Sequence, residues 1–278
     1  MRCYSYNSKK AVFTFVLFLV VLWFGAEECY AVKKGEKMDS PIITVIFDNN
    51  PYKKGLETGW GFSCLIEGIK KTILFDTGAD GNVLLDNMQK LGIDPGTVDT
   101  LVLSHAHSDH VGGAYSFLQK NHKVTMYIPE SFPESFKDRI RQYGARIVEV
   151  KESAEIFEKV YLTGEMGVWI KEQSLIIRTP NGMVVITGCA HPGVVNIVKR
   201  AKEMFDDEVL LVMGGFHLIN KSRSEIDAIV SDMKKMGVRY VGPCHCSGDK
   251  ARELFEQAYR EHYIRIGAGK RIDGKELQ

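Results

Sequence analysis

Residues 101–113 read Leu-Val-Leu-Ser-His-Ala-His-Ser-Asp-His-Val-Gly-Gly, placing His105, His107, Asp109 and His110 within six positions at the end of an apolar run. Imidazole suits zinc and iron, and a carboxylate adds the hard oxygen that a hydrolytic site keeps beside an open water position. His105 and His107 lie two apart, so in extended backbone they point to the same side. Asp109 and His110 follow where the chain turns into a helix. One loop could therefore serve two adjacent ions, with His105 and His107 on one and Asp109 and His110 on the other. With 8 histidines in 278 residues, chance is a poor explanation for this crowd. Its place between a buried strand and Gly112-Gly113 also sets it apart from a tag-like tract.

Two ions need more donors than one loop supplies, and other strand ends carry them. Thr187-Gly188-Cys189-Ala190-His191 follows an apolar strand at Met183 to Ile186. Pro243-Cys244-His245-Cys246 follows Val238 to Val241, and Gly214-Gly215-Phe216-His217 follows Val209 to Met213. The remaining histidines, His122 and His262, sit in polar helical surroundings and read as solvated.

The elements that must position these groups follow from periodicity and turn chemistry. Ile42 to Phe47 reads as a strand, and Trp60 to Glu67 with Thr72 to Phe75 as a hairpin around Gly68 whose second strand runs into Asp76-Thr77-Gly78. Helical spacing covers Asp80 to Leu91, Val111 to Asn121 and Glu134 to Tyr143. Strands are expected at Thr100 to Leu103, Val124 to Ile128 and Arg146 to Val150, with edge strands and loops over 152–174. Leu175 to Thr179 and Met183 to Thr187 form a hairpin around Asn181-Gly182. Strand and helix then alternate, with helices at Val194 to Phe205, Ser224 to Met236 and Asp249 to His262. Hairpins followed by alternation imply mixed sheets flanked by helices, a layered α/β architecture.

Ahead of these elements, Lys9-Lys10 precede a run from Ala11 to Phe24 whose one polar residue is Thr14. This pattern reads as a secretory signal over residues 1–31, cleaved after Ala31, or as an anchor through residues 11–25. About 15 helical residues reach only roughly 22 Å, short of a hydrocarbon core near 30 Å, which favours export to a periplasmic or extracellular space. Without Arg2, Lys9, Lys10, Glu27 and Glu28, the 36 basic and 35 acidic residues become 33 of each. A neutral domain argues against nucleic acid as a partner and for a small-molecule substrate. Contact with a membrane would run only through the uncleaved leader.

The motif His105-x-His107-x-Asp109-His110, with Ile73-Leu74-Phe75-Asp76-Thr77-Gly78 upstream, resembles the signature of the metallo-β-lactamase fold superfamily. The resemblance spans residues 42–268 and implies a four-layer αββα sandwich with a metal site at one edge between the sheets. Thr-Gly-Cys189-Ala-His191, Gly-Gly-Phe-His217-Leu and Pro-Cys244-His245-Cys246-Ser-Gly are similar to one branch, the dihydropteroate-synthase-like group. That group is named after dihydropterin-ribofuranosylaminobenzene-phosphate synthase.

Carried onto this chain, the resemblance implies that His105, His107 and His191 hold a first ion and Asp109, His110 and His245 a second. Asp76 would lie behind them and orient the ligand loop. Where many members have a bridging aspartate after Thr-Gly, this chain has Cys189. Its thiolate could ligate instead, or His191 could be the only donor of that stretch, so one or two divalent ions are expected, zinc first, with iron or manganese open. His217 reads as a substrate contact or a support, or as an ordinary strand-end histidine. Cys244 and Cys246 flank His245, so in extended backbone both point away from its side; they read as packed thiols or a disulfide before ligands.

The implied activity is a metallohydrolase using a metal-bound hydroxide on an ester, lactone or phosphoester, with Asp109 also positioning the water. The alternatives are transfer at a dihydropterin diphosphate, which fits an exported protein poorly, and a non-catalytic metal-dependent sensor.

Overall fold

Strands such as Met183–Ile186 are apolar at every position and wholly buried, the pattern of a sheet covered on both faces. A computed structural model describes residues 40–277, within the unit Lys37–Gln278. The expected leader, with Cys3 and Cys29, lies outside the described residues. Among them, no helix is long and apolar enough to cross a membrane.

The first half contains β1 (Ile42–Asp48), β2 (Phe62–Glu67), β3 (Ile73–Phe75), α1 (Gly81–Leu91), β4 (Thr100–Val102), α2 (Ser108–Val111), α3 (Ala114–Lys120), β5 (Thr125–Pro129), α4 (Glu134–Tyr143) and β6 (Arg146–Val150). The second contains β7 (Ala154–Phe157), β8 (Val160–Leu162), β9 (Leu175–Thr179), β10 (Gly182–Thr187), α5 (Val194–Met204), β11 (Val209–Gly215), α6 (Arg223–Lys235), β12 (Tyr240–Cys244), α7 (Asp249–Tyr259) and β13 (Arg271–Asp273). One sheet has the order β13-β1-β2-β3-β4-β5-β6 and the other β12-β11-β10-β9-β8-β7.

Side-chain alternation assigns the layers. Val184 and Ile186 of β10 pack with Ile43, Phe62, Ile73 and Phe75 in a core between the sheets. Met183 and Val185 face the other way, against Val194, Ile197 and Val198 of α5 and Ile226 of α6. Leu65, Leu74 and Leu101 meet Leu84 of α1 and Phe117 of α3 on the outer face of the first sheet. The result is the αββα sandwich. Local chemistry sets the helix ends: the Asp80 carboxylate accepts from the Asn82 and Val83 amides, and Gly92 stops α1 at φ 73°. Ser222 and Glu225 form a reciprocal cap on α6.

Several boundaries differ from the sequence reading. The helix expected over Val111 to Asn121 is two pieces broken at Gly112-Gly113, because the chain there is pressed against the Thr77–Ala79 backbone. The strand expected at Val238 to Val241 runs instead over Tyr240–Cys244, in register with β11 (Leu211 opposite Tyr240, Gly215 opposite Cys244). The last helix ends at Tyr259 and tightens into a 3-10 turn over Arg260–His262. Strand β13, too short to show a period, was not anticipated; it pairs with β1 through Ile43 and Ile272.

Gly112 has helical angles, φ −60° and ψ −33°, that any residue adopts. A Cβ there would nonetheless overlap the Ala79 carbonyl oxygen, so only space excludes a side chain. Gly144 is the converse, open around its Cβ position but at φ 84°. Gly112→Ala is expected to lower stability by about 3 kcal/mol and Gly144→Ala by about 1 kcal/mol, read as shifts of the urea midpoint at constant slope. Equal shifts would contradict the packing argument.

Candidate metal centre

The donors gather because parallel strands from both sheets end at one place. β3 and β4 are parallel neighbours in one sheet (Phe75 beside Val102), and β10, β11 and β12 are parallel neighbours in the other (Thr187 beside Gly214, Gly215 beside Cys244). Carboxyl ends of adjacent parallel strands are where open α/β sheets bind ligands. From these ends come Asp76, His105, the Cys189–His191 segment, His217 and His245. At four of these turns a non-glycine residue takes a left-handed backbone, with φ 53° at Asp76, 58° at Ala190, 54° at His217 and 48° at His245. Each such residue costs on the order of 1 kcal/mol, and strain of this kind gathers at functional sites.

Four imidazoles are tethered from behind through Nδ1. Ser104 Oγ donates to Asp76 Oδ2 at 2.7 Å and lies 2.9 Å from His105 Nδ1, so with its one proton committed it accepts from that ring. His110 Nδ1 lies 2.7 Å from Asp76 Oδ2, His191 Nδ1 2.8 Å from Glu172 Oε2, and His245 Nδ1 3.1 Å from Asn49 Oδ1. A donating Nδ1–H leaves the Nε2 lone pair free to ligate.

The rings of His105, His107 and His191 form a near-regular triangle, with centroids 4.7, 4.7 and 4.9 Å apart. The donor atoms of this set fall within 4.8 Å of one another. His105 Nε2 is buried with no hydrogen-bond partner, the condition of a ligand atom without its ion. The second set is Asp109, His110, Cys189 and His245. His110 Nε2 lies 3.3 Å from His245 Nε2 and 3.2 Å from Cys189 Sγ, while Asp109 Oδ2 lies 3.2 Å from His245 Nε2. Donors about 2.0–2.1 Å from a tetrahedral centre stand roughly 3.3 Å apart, so the spacing fits a small divalent ion.

Electrostatics keep His105, His107, His110 and Asp109 in their ligating forms, whereas His245, against its burial, is raised by its hydrogen bond with Asp109 and the charge of Cys246. Burial, then the charge of a neighbouring imidazole, pushes His105 down to about 3 and His110 down to about 4; His107 is lowered by the same two causes. Burial alone would raise Asp109, but its hydrogen bond with His245 and the charges of His110 and His245 hold it well below the carboxylate range. Glu172 is likewise opposed by burial and held at about 2 by hydrogen bonding to His191 and the charge of His105. At Asp76 burial outweighs the His105 charge and the Ser104 hydrogen bonds, and the carboxyl is pushed up to about 7.

The structure thus brings His105, His107, Asp109, His110, His191, His245 and Cys189 together, with Asp76 behind them and the His217 ring 4.6 Å from that of His191. His122 is exposed and lies apart, as does His262 against Tyr240. Cys64, Cys189, Cys244 and Cys246 are all free thiols. The expectation for Cys246 needs correction. Cys244 does face away, into the core between the sheets, but a 3-10 turn over His245–Ser247 swings Cys246 back, its Sγ 3.4 Å from Cys189 Sγ.

Glu172 was missed. Its side chain has no exposed surface, and its Oε1 accepts from the Cys189 and Ala190 amides while Oε2 accepts from the amide and ring of His191. It lies in a loop without period or motif, so nothing local marked it. Asp48 and Asn49 were missed too, although they left the same signal as Asp76, a polar pair at the end of an apolar strand. Asp48 Oδ2 accepts from the His245 amide at 3.2 Å.

Known proteins resemble this chain in sequence and fold. A family model described as the metallo-beta-lactamase superfamily matches residues 61–197. The 7,8-dihydropterin-6-methyl-4-(β-D-ribofuranosyl)-aminobenzene-5′-phosphate synthase of Methanocaldococcus jannaschii is 30% identical over 280 residues, covering 83% of this chain and 95% of that one. Tm1679, described as a metal-dependent hydrolase of the β-lactamase superfamily, is 30% identical with a TM-score of 0.73, over 84% of this chain and 98% of that one. The metallo-β-lactamase fold protein YhfI from Bacillus subtilis, 14% identical with a TM-score of 0.64 over 84% of this chain and 99% of its own, shares the fold. With a relative this similar over nearly its whole length, and the histidine loop inside the matched region, the chain belongs to the metallo-β-lactamase superfamily.

Proposed function

We propose that this chain is a metal-dependent hydrolase of small esters, lactones or phosphoesters. The observation that carries the reading is the meeting of two donor sets at the strand ends of both sheets. His105, His107 and His191 would hold one ion and Asp109, His110 and His245 the other, with Cys189 beside His110. Divalent ions in such a site lower the pKa of water toward about 7 and stabilise charge on a substrate oxygen.

The chain's own groups do the rest. His107 is the exposed member of the first set, and the Asp109 side chain is 18% exposed in the second, so both stand on the rim where substrate arrives. Held ionised, Asp109 can accept a hydrogen bond from an attacking water and so orient it. Asp76 and Glu172 keep the imidazoles aimed, and Trp60, 49% exposed with its ring 4.9 Å from that of His245, forms one wall.

That wall supports a second reading, transfer at a dihydropterin diphosphate, the chemistry suggested by the name of the M. jannaschii relative. An indole face beside the donors suits a flat heterocycle. The two readings separate on the purified full chain, assayed with esters, lactones and phosphodiesters and, in parallel, with a dihydropterin diphosphate plus an aromatic amine. Hydrolysis without an acceptor supports the first reading. Diphosphate release only when the amine is present overturns it in favour of the second.

Replacing His105 and His107 together by alanine is expected to remove one equivalent of metal, by elemental analysis, and to reduce kcat/KM at least about 1,000-fold, roughly 4 kcal/mol of barrier. Unchanged metal content and turnover would end the assignment. Glu172→Gln puts an amide N–H₂ where backbone N–H groups now donate. It should weaken metal binding about 10- to 100-fold in a chelator competition and destabilise the chain by about 2–3 kcal/mol. An unaltered metal affinity would show that Glu172 does not orient His191.

A further inference from the structure

We propose that Cys189, Cys246 and His217 form a third, sulfur-rich metal subsite that takes a thiophilic divalent ion such as zinc. Their donor atoms lie within 4.8 Å of one another, both sulfurs buried and His217 exposed. Two thiolates and one imidazole make a zinc donor set that leaves a fourth position open, and thiolates favour zinc over hard cations such as magnesium. The assignment is independent of the reaction proposed above, because it concerns binding alone. It shares Cys189 with the second donor set, where that sulfur lies 3.2 Å from His110 Nε2.

The spacing of the sulfurs favours a metal over a disulfide. They stand 3.4 Å apart. Zinc–sulfur bonds of about 2.3 Å set two tetrahedral sulfurs roughly 3.8 Å apart, whereas a disulfide needs about 2.05 Å. The pair has only a few tenths of an ångström to open but well over 1 Å to close.

The backbone is also built for this set. His217 is bracketed on both sides by the turn that carries Cys246: the Phe216 amide donates to Ser247 Oγ at 3.0 Å, and the Leu218 amide to the Cys246 carbonyl at 3.1 Å. On the other side of β11, the Gly215 amide donates to the Gly188 carbonyl, next to Cys189, at 3.0 Å. These bonds fix the three donors relative to one another before any ion arrives. His217 also takes the left-handed backbone, φ 54°, that Asp76, Ala190 and His245 take at the neighbouring strand ends. An ordinary solvent-exposed histidine has no need of that conformation.

The test uses the full chain, stripped by a chelator under reductant and titrated with Cd²⁺, following the ultraviolet sulfur-to-cadmium charge-transfer band and the bound-ion count by native mass spectrometry. The wild type should show the band. Cys246→Ser should lose about half of its amplitude and bind one ion fewer, and His217→Ala should keep the band but bind cadmium at this subsite at least about tenfold more weakly. The His105→Ala, His107→Ala double variant should lose an ion with the band intact, so failure of the imidazole set and failure of the sulfur set are told apart. An undiminished band and count in Cys246→Ser would overturn the proposal. So would a protein isolated lighter by two hydrogens whose band appears only after reduction, since the sulfurs would then be a disulfide. Should Cys246→Ser not fold, the exposed position decides, and unchanged cadmium affinity in His217→Ala overturns the subsite.

Discussion

Two carboxylates with no exposed surface, Asp76 and Glu172, hold the candidate metal centre from behind. Asp76, at the end of β3, takes the Ser104 amide, the Ser104 hydroxyl and the His110 ring. Glu172, leading into β9, takes the Cys189, Ala190 and His191 amides and the His191 ring. Asp76 therefore organises the histidine loop after β4, and Glu172 the Cys189–His191 segment after β10. Without them, His110 and His191 would lose the partner that sets each ring and become buried polar groups, each a cost and not a ligand. The fold can afford buried imidazoles because every tethered Nδ1 has a partner, and the partnered Nδ1 is what turns Nε2 toward the pocket.

The sandwich supplies the second condition, that the two halves face each other. Parallel strands end together, and a left-handed residue at each of several ends turns a side chain sharply inward. The strain is carried by cores on both sides: the apolar layer between the sheets and the helices packed outside them leave the strand ends little freedom to relax. Close packing also explains the glycines around the centre. A Cβ at Gly188 would collide with Ser104 Oγ and crowd Asp76 Oδ2, so the network behind the ligands constrains the neighbouring strand as tightly as the ligands do.

The layered fold and most of the donors were legible in the sequence because they sit where short-range signals are strongest. Strand Thr100–Val102 delivers a loop with four donors in six positions, and His191, His217 and His245 each follow an apolar strand. What was illegible depended on geometry at longer range. Glu172 reaches residues 17 to 19 positions away from a loop with no period, so only the fold shows what it touches. Cys246 was placed by the rule for extended backbone, and the chain stops being extended at His245. The Gly112-Gly113 pair lies inside the span expected as one helix, Val111 to Asn121, but close approach to Ala79 makes it a break.

The central claim is that these side chains form one metal centre with donors from both sheets. It is tested most directly by growing crystals of the zinc-loaded chain and computing an anomalous difference map at the zinc absorption edge. The account predicts density enclosed by His105, His107 and His191 and density enclosed by Asp109, His110 and His245. A map with neither peak, or with zinc held only on surface residues away from Asp76 and Glu172, would contradict it.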